Sequence, residues 1–84
     1  MKTFLIETNI QNCKNGKNVE TVILTATFAA CQNVNTCEDF LDLIKSDENE
    51  HEKLLARIDE KRRRKEKRNE VYHLRVYEVL GGAL

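Results

Sequence analysis

Two alternating runs, 1–10 and 19–31, flank an Asn15-Gly16 pair, and no other feature constrains the chain as strongly. Asn-Gly between strand-like runs signals a β-hairpin, because both residues tolerate the left-handed backbone of a tight turn. In the first run Phe4, Ile6, Thr8 and Ile10 fall on one side, with Thr3, Leu5, Glu7 and Asn9 on the other. The second run is dense in Val, Ile, Thr and Phe, the residues that suit a pleated surface.

The pattern also selects a register. A two-residue loop at Asn15-Gly16 pairs Phe4 with Thr27 and Ile6 with Thr25, which splits the apolar residues between faces. A three-residue loop, Lys14-Asn15-Gly16 with Gly16 left-handed, pairs Phe4 with Ala26, Ile6 with Leu24 and Thr8 with Val22. One face then holds Phe4, Ile6, Ile10, Val22, Leu24, Ala26 and Phe28. Slipping by one residue reverses every side chain, so burial favours the second register.

Helical periodicity takes over after Asn35. Thr36 followed by Asp39 resembles a capping box, and Phe40, Leu43, Ile44, His51, Leu54, Leu55 and Ile58 recur at helical spacing. The spacing predicts a continuous or gently bent helix, with a break at Ser46 or Asp47 as the alternative. Good helix formers continue to Arg68 with no apolar residue to dock them, so the charged end over 61–69 is expected to project. A third strand follows Val71, with Tyr72, Leu74, Val76 and Leu80 on one face and Val71, His73, Arg75, Tyr77 and Val79 on the other. Gly81-Gly82 closes it, and 81–84 is expected to be a mobile tail.

The predicted fold class is α+β: a β-β-α-β order, with one long helix covering one face of a three-stranded, mainly antiparallel sheet. Eighty-four residues fit a single domain over 1–84, which at this size buries only about 60% of the surface its unfolded chain exposes. No proline interrupts any element. No apolar run is long enough for a transmembrane helix, and the first ten residues alternate instead of forming a signal-peptide core, so no membrane association is expected. Cys13, Cys31 and Cys37 are odd in number and without paired spacing, which points to free thiols in a cytoplasmic compartment.

Charge is segregated, although the formal net charge is zero. The stretch 38–60 carries nine acids against Lys45, Lys53 and Arg57; the stretch 61–68 carries seven cations against Glu66. Crowded cations repel each other, and a polyanion relieves that cost while releasing counterions. Lys61, Arg62, Arg63, Arg64, Lys65, Lys67 and Arg68 are therefore the candidate contacts to nucleic acid or a nucleoprotein complex. The competing reading of this stretch is a solvated helix end, since cations suit a helix C-terminus and Asp59 and Glu60 can pair with Arg63 and Arg64.

Two further surfaces are candidates for a protein partner. Asp42, Asp47, Glu48, Glu50 and Glu52 form an acidic row that can imitate a phosphate backbone. Small phage-encoded anti-restriction and anti-CRISPR proteins are similar in size and charge style. The uncovered sheet face, with Leu5, Ile23, His73, Arg75 and Tyr77, is expected to present an apolar patch suited to a partner or a homo-oligomer. Solvated faces are the plain alternative for both. Cys37 at the helix start has Glu38 and Asp39 beside it, which disfavour a thiolate. The sequence holds no nucleophile motif, phosphate-cradling glycine loop or zinc-ligand spacing, so no catalytic residue, metal or cofactor is expected. The sequence thus leads first to a non-catalytic nucleic-acid-binding protein, then to a protein-binding inhibitor or adaptor, then to a structural homo-oligomer subunit.

Overall fold

The computed structural model describes residues 1–63 and 69–79. The order is β1 (Lys2–Asn12), β2 (Asn18–Phe28), a 3-10 turn (Ala30–Gln32), α1 (Cys37–Ser46), α2 (Glu48–Lys61) and β3 (Glu70–Val79). The three strands form one open antiparallel sheet in the order β2-β1-β3. Both edge strands run antiparallel to β1, and the helical segment crosses from one edge to the other, a split β-α-β arrangement. The fold class is α+β, as the sequence pattern implies.

The hairpin register is the one that apolar alternation selects: Phe4 opposes Ala26, Ile6 opposes Leu24 and Thr8 opposes Val22. Gly16 takes a φ of 69°, as a left-handed turn residue must. Near the turn the pairing slips by one residue, so that Ile10 opposes Glu20 while Gln11 opposes Asn18. Asn12 organises this end: its side-chain oxygen accepts the Lys14 and Asn15 amides at 2.8 and 3.4 Å. Its own amide donates to the Lys17 carbonyl at 2.9 Å.

The continuous helix is replaced by two helices that meet at Asp47. The cause is local: Asp47 adopts an extended backbone, and its carboxylate accepts the Asn49 and Glu50 amides at 2.9 and 3.3 Å. These bonds satisfy donors that a helix start leaves open, while the Asp47 amide closes α1 by donating to the Leu43 carbonyl at 2.9 Å. At the start of α1, Asp39 accepts the Asn35 and Thr36 amides, and those two backbone bonds hold its carboxyl below the usual range. The helix also stops earlier than its composition suggests. It ends at Lys61, and Arg62 turns into extended backbone.

The core lies between the sheet and the helices. Phe4, Ile6 and Ile10 on β1 are fully buried against Phe40 and Ile44 of α1 and Leu54 and Ile58 of α2. Phe4, Phe28 and Phe40 form an aromatic trio at one end, with centroids 5.5–6.0 Å apart. No helix is long and apolar enough to cross a membrane among the described residues.

One core residue is mismatched to its place. Thr8 is wholly buried on the helix-facing side of β1, and its hydroxyl has no hydrogen-bond partner among the described residues. A buried hydroxyl without a partner costs about 1–3 kcal/mol, and valine has the same shape without it. Thr8→Val is expected to raise unfolding stability by about 1 kcal/mol in urea denaturation; an unchanged or lower midpoint would show that the hydroxyl is satisfied.

Candidate functional site

The end of the molecule opposite the aromatic trio is built around a buried cation. Arg62 is 3% exposed and sits among side chains from β2, β3 and α2. Its Nη2 lies 2.8 and 3.0 Å from the two carboxylate oxygens of Glu70, and its Nη1 donates to the Tyr72 hydroxyl at 2.9 Å. The Tyr72 hydroxyl in turn donates to Asp59 at 2.7 Å. Glu20 approaches the Arg62 Nε at 4.0 Å, and its other oxygen accepts the Arg63 amide at 2.8 Å. Burial opposes the Arg62 charge, but hydrogen bonds to Glu70 and Tyr72 outweigh it and hold the pKa above its ordinary value.

This corrects the surface reading of Arg62. Strand alternation places Glu20, Tyr72 and Glu70 on the helix-facing side, where Ile10 lies between Glu20 and Tyr72. Two carboxylates beside fully buried Ile10 must be neutralised, and Arg62 is the residue that reaches them. The helix ends where it does because Arg62 folds inward.

Turning Arg62 inward leaves Arg63 outward and exposed, its backbone held by Glu20. Lys61, in the last turn of α2, is also exposed. On the other side of the connection, Asn69 has a left-handed φ of 57°, and its carbonyl accepts the Cys13 amide at 2.7 Å. That bond ties the α2–β3 connection to the hairpin turn, which carries Lys14 and Lys17, both exposed. The hairpin turn and the two described ends of the α2–β3 connection, at Arg63 and Asn69, therefore lie at the same end of the fold. Arg64, Lys65, Lys67 and Arg68 lie outside the described residues, as does the expected tail over 81–84.

The acidic row is divided. Asp47 caps α2, and Glu50 lies 3.6 Å from Lys53. Asp42 on α1 and Glu48 and Glu52 on α2 are exposed. The open sheet face is divided too. Asn18, Thr21, Asn9 and Glu7 form a hydrogen-bonded chain across it, with links of 3.2, 2.8 and 3.3 Å. Leu5 lies between Thr25 and Tyr77, while Ile23 and Arg75 flank Glu7 and His73 flanks Asn9. The expected apolar patch is thus interrupted at its centre.

Cys13, Cys31 and Cys37 are free thiols, and no group of three or more potential metal ligands occurs among the described residues. An open groove of about 560 Å³ runs between the α1–α2 corner and β3, lined by Leu41, Ile44, Lys45, His51, Tyr72 and Leu74. The chain matches no known protein family, no curated protein and no solved structure.

The Tyr72 phenol gives the ionic end a pH signature. Burial, followed by the bond to Asp59, raises its pKa above the ordinary value of 10.0. An acid whose folded-state pKa is raised contributes stability that is complete below the unfolded pKa and is lost as pH rises through the folded one. The native urea midpoint is therefore expected to fall above about pH 10 more steeply than that of Tyr72→Phe. Parallel curves for the two proteins would contradict a buried, neutral phenol.

Proposed function

We propose that this chain is a non-catalytic binding protein that engages the phosphate backbone of nucleic acid, alone or within a nucleoprotein complex, through its basic end. The observation that carries the reading is the bond between the Cys13 amide and the Asn69 carbonyl. It sets the Lys14 and Lys17 turn beside a connection whose sequence, from 61 to 68, is almost wholly cationic. Clustered cations of separate origin follow a phosphate chain better than one helix edge does, because they present charge from two directions.

Glu20 and Glu70 are drawn onto Arg62, while Lys14, Lys17, Lys61 and Arg63 stay exposed as the cations available to a ligand at this end. Backbone contacts of this kind give affinity with little sequence preference. The alternative, a protein-binding inhibitor acting through its carboxylates, draws on a row that the fold has already divided. The free thiols suit a reducing, cytoplasmic setting.

Titrating labelled duplex DNA and RNA across a salt series tests this reading. Binding should weaken with a slope of about 0.9 log units per duplex phosphate contacted. The double variant Lys14→Ala, Lys17→Ala should then bind more weakly and lose up to about 1.8 of that slope. No binding at low salt, or an unchanged slope in the variant, would contradict the assignment.

A further inference from the structure

We propose that two copies of this chain pair through the outer edge of β3, in antiparallel register about a two-fold axis at Leu74, to form one continuous six-stranded sheet. The first observation is the cover over the strand: Tyr72, Leu74 and Val76, the helix-facing apolar residues of β3, all keep partial exposure, whereas β2 buries Val22 and Leu24 and leaves Ala26 and Phe28 partly exposed. The open groove lies on the β3 side, with Tyr72 and Leu74 in its wall.

The two sheet edges also differ. On β2 the Arg57 guanidinium reaches the Thr25 carbonyl at 2.9 Å, and a charged side chain lying over an edge discourages pairing. On β3, among the described residues, no side chain bonds to the strand's backbone. Every second residue of this ten-residue strand turns its N–H and C=O away from β1, a row that another extended chain can pair with.

That second chain is identified as a copy by the order of residues on β3. An antiparallel pair related by a two-fold axis keeps faces matched only when the axis passes through a residue. With the axis at Leu74, Tyr77 meets Val71 of the partner copy, and the two exposed apolar side chains of this strand cover each other twice. Leu74 meets its own counterpart, Val76 meets Tyr72 at the groove, and Arg75 meets His73. Glu70 and Glu78 face each other, but each already has a cation within its own chain: Arg62 for the first and Lys2 for the second.

Neighbouring registers fit less well. An axis at Arg75 opposes two arginines, one at Val76 sets Leu74 against Glu78, and one at His73 sets Val71 against Arg75. Only the axis at Leu74 sets the two exposed apolar residues of the strand, Val71 and Tyr77, against each other.

The wild-type protein should sediment at about twice its 9.8 kDa chain mass at micromolar concentration. Tyr77→Glu should weaken the dimer about tenfold or more, because it sets a carboxylate against Val71 at two symmetric places. Adding Val71→Lys should restore the dimer, since the two changes meet only across the axis; within one chain they lie six residues apart. Circular dichroism on both variants separates loss of pairing from loss of fold. A monomeric wild type, a dimer indifferent to Tyr77→Glu, or a folded double variant that stays monomeric would each overturn the proposal. Tyr77 opposes Leu5, at the end of β3 away from Asn69 and the basic end, so Tyr77→Glu reads pairing separately from nucleic-acid binding.

Discussion

Withdrawing a guanidinium from water costs several kcal/mol unless carboxylates and hydrogen-bond acceptors surround it, and Arg62 is surrounded from three directions. Glu20 comes from one edge strand, Glu70 and Tyr72 from the other, and Asp59 joins through the tyrosine from α2. The planar fork of arginine reaches both oxygens of Glu70 and the Tyr72 hydroxyl together, while the guanidinium lies 5.8 Å from the Tyr72 ring centroid. A lysine offers a single point charge there and cannot match that geometry. The position of the helix end and the exposure of Arg63 both depend on this one buried cation.

The fold is thus fastened differently at its two ends. Around Phe4, Phe28 and Phe40 cohesion is aromatic and indifferent to pH, whereas around Arg62 it is ionic and directional. The proposed binding surface follows from the second kind. By drawing Arg62 inward against carboxylates, the fold leaves Lys61 and Arg63 exposed on either side of an anchored residue. The Cys13–Asn69 bond then adds Lys14 and Lys17 from the hairpin turn.

Much of the sheet was legible in the sequence, because period-two alternation and an Asn-Gly turn jointly fix a register. The slip beyond Ile10 was not, since it arises from the geometry of the Asn12 turn and no apolar residue reports it. The break at Asp47 lay within the readable alternatives. Helical phase is nearly continuous across it, and only the capping carboxylate decides against one helix. Arg62 was misplaced because neighbouring charges were read as a block. The signal that could have found it was the inward phase of Glu20, which the predicted register already set opposite Ile10. An acid on a core-facing position asks for a cation, and residue spacing along a single helix does not show which one answers.

The central claim, that Arg62 is a structural cross-link between α2 and the sheet, is tested most directly by a double-mutant cycle for unfolding. The cycle combines Arg62→Met with Glu70→Gln. If the two groups are the buried partners described here, their coupling energy is expected to be about 2 kcal/mol or more, with each single variant more damaging than its share of the double. A coupling near zero would mean that Arg62 is solvated, and would return it to the cationic surface.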